Sequence, residues 1–181
     1  QNKAILVLGA GGFTLTQGLK NPNHFTYVDI DPDLENIVRK HFVKHIQGEV
    51  VVQDARVFVK NSPKQYDFIV NDVYNNPSAI PSHLLTQEYY EELYRILKPE
   101  GTIAFNFILN PTLETNYAKR NDNTLRSVFK SCMSMPTAYS PTRPTNVLYV
   151  CRKAWNDQDS MLYTDDLNRS EIDMPLPKRG S

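Results

Sequence analysis

Four positions along the chain place a glycine turn or a carboxylate directly after an apolar run. The turn is Gly9-Ala10-Gly11-Gly12, and the carboxylates belong to Asp29, Asp54 and Asp72. The glycines allow the backbone to turn tightly and to approach a ligand without an intervening side chain. Ionised carboxylates accept hydrogen bonds from hydroxyl and amino groups. The pattern therefore predicts a binding site for a nucleoside-type ligand.

The place of each carboxylate in the chain predicts its role. Asp29 follows Gly9 by twenty residues, where an acid can accept both ribose hydroxyls. A helix cap is the alternative for Asp29, but Asp31 is available for that purpose. Asp54 could bind an adenine amino group, cap the following helix, or do both. We expect Asp72 at the reacting part of the ligand rather than in a solvated loop.

Strands alternate with helices along the chain, which predicts an α/β fold with parallel strands joined by right-handed crossovers. Strands are predicted at 4–8, 25–28, 50–52, 68–70, 102–108 and 146–150, and helices after Asp31-Pro32, at 55–59, at 88–97 behind Thr86, and at 114–129. Ligands of such sheets bind outside the carboxyl ends of the strands. The glycine turn and the three aspartates all fall at those ends.

The length of 181 residues suits a single hydrophobic core. We expect residues 1–153 to form the nucleoside-binding catalytic domain and residues 154–181 to form a polar C-terminal tail. The chain opens on Gln1 and reaches an apolar strand almost at once. We therefore expect it to be a piece of a longer protein.

Composition excludes several kinds of partner and site. The chain has 20 basic and 20 acidic residues, so no net charge attracts nucleic acid. No apolar run approaches the ~18 residues of a membrane span, so no membrane contact is expected from this chain itself. Cys132 and Cys151 lack the spacing of a zinc site. We expect two free cysteines, a reducing compartment and no metal.

Two other nucleotide-binding motifs fit less well. The nicotinamide fingerprint G-x-G-x-x-G requires a third glycine at position 14, where this chain has Thr14. A P-loop is excluded because no G-K-[ST] follows the glycines. Asp54 and Asp72, at the third and fourth strand ends, favour an adenosyl ligand that lies along the edge of the sheet.

Five segments, taken in order, resemble the spermidine synthase family: VLGAGG, YVDIDPDLENIVRKHF, VVQDARVFV, YDFIVNDVYNNP and LLTQEYYEELYRILKPEGTIAFN. The resemblance covers residues 3–106 and is nearest to the fused or membrane-associated spermidine synthase-like proteins. It implies a Rossmann-like S-adenosylmethionine-dependent methyltransferase fold. In that fold a mostly parallel seven-stranded sheet carries helices on both faces.

The resemblance also implies an activity, in which an aminopropyl group moves from decarboxylated S-adenosylmethionine to a small amine. The residues that match the family's motifs are Asp72 and Tyr74 for catalysis; Gly9, Ala10, Gly11, Asp29, Ile30, Asp54, Ala55 and Asp72 for the co-substrate; and Tyr74 and Asn75 for the amine. A homodimer is compatible with the family. We expect a cytoplasmic location, either alone or as the cytoplasmic domain of a membrane-associated protein.

Two positions depart from the family's pattern. Gly12 replaces the aspartate that holds the aminopropyl ammonium, and Asn75 replaces a second carboxylate in the loop after Asp72. Loss of both charges leaves two alternatives open. One is a methyltransferase that uses S-adenosylmethionine, and the other is a non-catalytic nucleoside-binding domain. His83 could assist proton transfer in the same region, but an ordinary surface histidine is favoured.

Overall fold

A computed structural model describes residues 2–16, 22–43, 45–74, 80–138 and 143–153. The predicted amine contact Asn75 and the predicted tail 154–181 lie outside these residues. No helix within the described ranges is long and apolar enough to cross a membrane.

Seven strands and four α-helices make up the described part of the chain, as the α/β prediction requires. They are β1 Ala4–Leu8, β2 His24–Asp29, α1 Leu34–His41, β3 Glu49–Val52, α2 Ala55–Asn61, β4 Tyr66–Asn71, α3 Gln87–Ile96, β5 Leu97–Leu109, α4 Asn116–Val128, β6 Ser131–Pro136 and β7 Thr145–Arg152. Short 3-10 turns occupy Thr14–Thr16 and Ser82–Leu84.

The strands form one sheet in the order β3-β2-β1-β4-β5-β7-β6. The first five strands in this order pair in parallel, and β7 is antiparallel to both of its neighbours. The strand order reverses at β1, because β2 lies on one side of it and β4 on the other. A crevice beyond the carboxyl ends of β1 and β4 is the usual ligand site in such a sheet.

Helices pack on both faces because alternate side chains of each strand point to opposite sides. Val7 belongs to a cluster with Tyr27 and the α1 residue Val38. Leu6 belongs to a larger cluster on the other face, which includes Tyr90 of α3. The sheet therefore separates two buried clusters, and the predicted arrangement of helices on both faces is confirmed.

The helices begin close to where capping residues predict. The Thr86 hydroxyl accepts a hydrogen bond from the Tyr89 N–H at 3.3 Å, at the start of α3. Helix α1 starts later than expected, at Leu34 instead of directly after Asp31. The Asp31 carboxylate accepts a hydrogen bond from the Asp33 N–H at 2.9 Å, so it closes the turn that precedes α1.

Strand β6 and the two cysteines differ from the sequence prediction. No strand was predicted in the segment Ser131–Pro136, which pairs with β7 along its whole length. In that register Cys132 lies opposite Cys151, and the two form a disulfide with Cα atoms 4.1 Å apart. The expectation of two free cysteines is therefore wrong. Their separation of 19 residues gave no sign of pairing, because the contact depends on the register of an antiparallel pair.

Candidate active site at the carboxyl ends of the parallel strands

Backbone hydrogen bonds continue past the strand ends and bring the predicted site residues to one edge of the sheet. The Gly9 N–H donates to the Val28 carbonyl at 2.9 Å, which links the glycine turn to β2. The Asp72 N–H donates to the Leu8 carbonyl at 2.9 Å, which links the loop after β4 to β1. The turn and the loop therefore meet at the point where the strand order reverses.

Glycine is required at position 9 for two reasons. Its φ of +81° lies in the left-handed region that other residues rarely adopt. A Cβ atom there would also collide with the carbonyl oxygen of Asp72. The absence of a side chain thus allows the glycine turn to lie directly against the loop that carries Asp72.

A cavity of about 200 Å³ opens at this edge. It is lined by Gly9, Val28, Asp29, Ile30, Gln53, Asp54, Ala55, Val73, Tyr74, Pro81, His83 and Leu84. The set combines apolar side chains with carboxylate, amide and imidazole groups. Such a lining suits a ligand with a flat apolar body and polar edges, as a nucleoside has.

Asp29 is held in place by two backbone N–H groups. Its Oδ2 accepts from Ala10 at 2.9 Å, and its Oδ1 accepts from Asp31 at 3.0 Å. Each carboxylate oxygen has a further lone pair. The side chain can therefore accept ligand hydroxyls while it stays fixed to the glycine turn.

Asp54 both caps helix α2 and faces the cavity. Its Oδ1 accepts from the Val57 N–H at 3.0 Å, and its Oδ2 lies 3.1 Å from Nε2 of His83. Burial alone would raise the pKa of Asp54. The hydrogen bond from Val57 and the contact with His83 outweigh burial and lower the pKa below its usual value. The capping role that the sequence allowed is confirmed.

His83 is one of the residues that line the cavity, in the region where the sequence places it. It lies in the 3-10 turn Ser82–Leu84, and its backbone carbonyl accepts from Nη1 of Arg56 at 3.0 Å. Arg56 belongs to α2, so α2 binds this turn through Arg56 and through Asp54. His83 is exposed, as the favoured interpretation of a surface histidine expects, and its partners lie 27 and 29 residues away along the chain.

Asp72 and Tyr74 share a partner on strand β5. Asn106 Nδ2 donates to Asp72 Oδ1 at 3.0 Å, and the Tyr74 hydroxyl donates to the Asn106 carbonyl at 2.9 Å. Burial first, and the charge of Asp72 second, raise the pKa of Tyr74 to about 12. Tyr74 therefore keeps its phenolic proton near neutral pH.

The structure brings most of the predicted site residues together. Those that line the cavity are Gly9, Asp29, Ile30, Asp54, Ala55 and Tyr74. Ala10 does not line the cavity, but its N–H donates a hydrogen bond to Asp29. Gly11 and Asp72 are exposed and are not among the lining residues. The assigned roles remain predictions.

Several lining residues were not predicted from the sequence. They are Val28, Gln53, Val73, Pro81, His83 and Leu84. Three of them, Val28, Gln53 and Val73, are adjacent in sequence to predicted site residues. Their place beside a strand end could therefore have indicated that they line the cavity. Pro81, His83 and Leu84 come from the segment before α3, whose placement depends on tertiary contacts. In the described ranges no three His, Cys, Asp or Glu side chains form a group that could hold a metal ion.

Comparison with known proteins agrees with the fold. Residues 1–160 match the spermine/spermidine synthase domain. An N-terminal histidine N-methyltransferase of Emericella nidulans is 30% identical over 84% of this chain and 28% of its own length. Polyamine aminopropyltransferase 2 of Hyperthermus butylicus is 32% identical over 70% of this chain and 45% of its own length. The chain thus spans less than half the length of either relative.

A probable spermidine synthase from Corynebacterium glutamicum has a similar fold. Its crystal structure superposes with a TM-score of 0.72 at 22% identity, over 84% of this chain and 57% of that chain. This likeness supports the predicted methyltransferase-like architecture. With the matched domain covering residues 1–160, the chain belongs to the spermine/spermidine synthase domain family.

Proposed function

We propose that this chain binds an S-adenosyl-type donor at the carboxyl ends of β1 to β4 and transfers an alkyl group to an amine. The observation that supports this best is the grouping of Asp29, Asp54 and Tyr74 in one cavity, with Asp72 and Tyr74 bound to the same residue, Asn106. Asp29 would accept the ribose hydroxyls and Asp54 the adenine amino group. Asp72 would face the acceptor nitrogen.

The reaction needs few chemical groups from the protein. The lone pair of the acceptor nitrogen attacks the carbon next to the sulfonium, a C–N bond forms, and the C–S bond breaks. The sulfonium leaves as a neutral thioether, and the nitrogen loses a proton to Asp72. Holding the two reactants in line contributes much of the rate in such a transfer, and a positioned base contributes the rest.

Aminopropyl transfer is the first form of this reaction. The relative from Hyperthermus butylicus is a polyamine aminopropyltransferase, and the matched domain is that of spermine and spermidine synthases. In this form the donor is decarboxylated S-adenosylmethionine, the acceptor is a small amine and the thioether product is methylthioadenosine.

Methyl transfer is the second form, and Gly12 is the observation that favours it. The resemblance places at this position an aspartate that holds the aminopropyl ammonium, and glycine supplies no charge. The Emericella nidulans relative is an N-methyltransferase that acts on an N-terminal histidine. In this form the donor is S-adenosylmethionine, and the acceptor is a nitrogen of a histidine or of an amine.

Calorimetric titration of the protein with three ligands tests the proposal and separates its two forms. The ligands are methylthioadenosine, S-adenosylmethionine and decarboxylated S-adenosylmethionine. Tighter binding of the decarboxylated donor supports aminopropyl transfer, and tighter binding of S-adenosylmethionine supports methyl transfer. Asp29→Ala should weaken each of them by about 1–3 kcal/mol, because a charged acceptor is lost. Failure of all three ligands to bind would overturn the proposal.

Two further expectations depend on how the whole protein is built. A homodimer stays a proposal, which sedimentation equilibrium of the purified protein tests directly. For location, the Cys132–Cys151 disulfide favours an oxidising compartment over the cytoplasm expected from the sequence, because structural disulfides persist mainly in oxidising compartments. Fractionation of cells in the presence of a thiol-blocking reagent shows whether the bond exists in the cell and where.

A further inference from the structure

Asn106 lies beside Asp72 because of the register between β4 and β5. The last pair in that register joins Asn71 to Phe105. The next residue along the chain is Asp72 in one case, directly after the end of β4, and Asn106 in the other, within β5. Sequence reasoning had assigned no role to Asn106, which lies 34 residues from Asp72 along the chain.

The backbone of Asn106 is held between buried neighbours in a paired strand. Its neighbours Phe105 and Phe107 are 0% and 1% exposed, and they stack on each other with ring centroids 5.6 Å apart. On the other side of the strand, Asn106 pairs with Leu148 of β7. Asn106 therefore projects from a strand that has a hydrogen-bonded neighbour on each edge, whereas Asp72 and Tyr74 belong to a loop.

The two hydrogen bonds of Asn106 have complementary effects on that loop. The amide donates to Asp72 Oδ1, so it fixes one oxygen of the carboxylate. Asp72 is exposed, so a ligand can reach its carboxylate. The backbone carbonyl accepts a hydrogen bond from the Tyr74 hydroxyl, so the phenol oxygen presents its lone pairs to a ligand. Both loop residues are thus oriented as hydrogen-bond acceptors.

We infer that Asn106 is a positioning residue for alkyl transfer, which aims the Asp72 carboxylate and the Tyr74 oxygen at the N–H of the acceptor. The inference rests on the proposed function, since it concerns the same site and the same reaction. An amide suits this position because it donates to a carboxylate without carrying a charge or titrating. A carboxylate at the same place would repel Asp72 and compete for its proton.

Two variants separate positioning from a purely structural role. N106D keeps the size of the side chain but puts a second carboxylate about 3 Å from Asp72, which favours a shared proton. N106A removes the amide and leaves the backbone carbonyl that binds Tyr74. Asn36→Asp, an exposed change on α1, makes the same chemical change away from the site and serves as the matched control.

The first measurement does not require turnover. Protein labelled with ¹³C at aspartate carboxyl carbons is titrated by NMR, and the Asp72 resonance is assigned through Asp72→Asn. The inflection of this resonance should move to higher pH by about one unit or more in N106D and stay unchanged in N36D. An unchanged inflection in N106D would overturn the inference, whether or not any donor binds.

The second measurement uses single turnovers with whichever donor binds in calorimetry. N106A should lower the transfer rate about 10- to 100-fold, as expected when a reacting group loses its orientation. Donor affinity should change less than about twofold, since Asn106 is not among the residues that line the nucleoside cavity. Full turnover in N106A contradicts positioning. Absence of donor binding in the parent protein contradicts the proposed function instead, and the NMR result still tests Asn106.

Discussion

At the scale of single residues, Asp72 is the group whose replacement tests catalysis most directly. In Asp72→Asn the amide oxygen can still accept the hydrogen bond from Asn106 Nδ2, so the loop geometry is retained. The variant cannot take up a proton from the acceptor. We expect donor affinity close to that of the parent and a transfer rate lowered about 100-fold or more.

The matched control for this variant is Asp33→Asn, which changes an exposed carboxylate outside the cavity. It should leave both the rate and the affinity unchanged. Calorimetry and a single-turnover assay report the two quantities separately. Retention of full turnover in Asp72→Asn would show that another group accepts the proton.

Gly12 is the residue whose replacement tests donor choice. Its φ lies outside the left-handed region, and a Cβ atom there would meet only the Thr14 methyl group at 3.3 Å. An aspartate can therefore occupy the position with a small adjustment. Because its carboxylate attracts the ammonium of an aminopropyl group, Gly12→Asp should raise the ratio of affinities for decarboxylated over ordinary S-adenosylmethionine, by about tenfold.

Gly12→Asn has nearly the same volume and no charge, and it serves as the control for this prediction. Competition between the two donors in calorimetry gives the ratio for each variant. An equal ratio in the Asp and Asn variants would mean that the residue at position 12 does not face the sulfonium substituents.

At the scale of secondary-structure elements, Asp67 joins three strands at the edge opposite the active site. Its carboxylate accepts from the Ala4 N–H of β1 at 2.9 Å and from Lys98 of β5 at 2.8 Å, and it also pairs with Lys3. Burial alone would raise the pKa of Asp67. The hydrogen bonds from Lys98, Ala4 and Lys3 outweigh it and hold the pKa well below its usual value.

A lowered pKa in the folded state makes the stabilisation by Asp67 depend on pH. The stabilisation is complete above the pKa of the unfolded chain, about 3.9, and is lost as the pH falls through the lower pKa of the folded state. The free-energy difference between the parent and Asp67→Asn should therefore be constant above about pH 5 and shrink below about pH 4. Urea unfolding of both proteins at a series of pH values measures this free-energy difference.

Glu35→Gln provides the comparison for Asp67. Glu35 pairs with Arg39 at 2.8 Å on the exposed face of α1, where an ion pair contributes about 0.5 kcal/mol or less. Glu35→Gln should therefore change the free energy of unfolding only slightly at every pH. A difference for Asp67→Asn that does not change between pH 6 and pH 3 would contradict the assigned network.

The disulfide determines how the edge strand β6 is attached. It closes a loop across 19 residues between Cys132 and Cys151, and closing such a loop stabilises a fold by about 3 kcal/mol. Reduction should lower the free energy of unfolding by about that amount. Hydrogen exchange should increase most in β6, because among the described strands it pairs with β7 alone.

A double variant with Ser at both cysteine positions should unfold at the same urea concentration with and without reductant. The variant thereby separates the effect of breaking the disulfide from any other effect of the reductant. Detection of two free thiols in protein prepared without reductant would show that the cysteines do not pair in solution.

At the scale of the whole molecule, the cavity draws on segments from both sides of the point where the strand order reverses. Asp29 ends β2, Asp54 precedes α2, and Tyr74 follows β4. A bound donor should therefore stabilise the domain as one cooperative unit, by about 2.7 kcal/mol at 100 times its Kd. Thermal unfolding followed by near-ultraviolet and far-ultraviolet circular dichroism should give one transition, which the donor shifts by the same amount in both. Two transitions with only one shifted would contradict this.

Much of the framework could be predicted because its signals are local. The apolar run from Ala4 to Leu8 matches β1 as observed, and Thr86 caps α3 as its side chain suggests. The strand ends that carry Asp29 and Asp54 are recognisable for the same reason. Parallel pairing then places these residues at one edge, so the location of the cavity follows from the sequence.

Features that depend on contacts between distant residues could not be predicted in this way. Strand β6 has the sequence SCMSMP, which has few of the β-branched and aromatic residues that favour strands, so its pairing with β7 determines its conformation. Its disulfide depends on the same register. The contacts of His83 and Asn106 span 29 and 34 residues, and neither residue type signals its partner.

The position of β7 between β5 and β6 has a consequence for synthesis on the ribosome. Strand β6 leaves the ribosome before β7, yet its pairing partner in the sheet is β7. Until Arg152 has emerged, the edge of β5 that pairs with β7 is therefore unpaired, and β6 lacks the strand with which it pairs. Among the described residues, those that line the nucleoside cavity end at Leu84, so they are all made well before the sheet can close. Completion of the domain during translation waits for its last described strand.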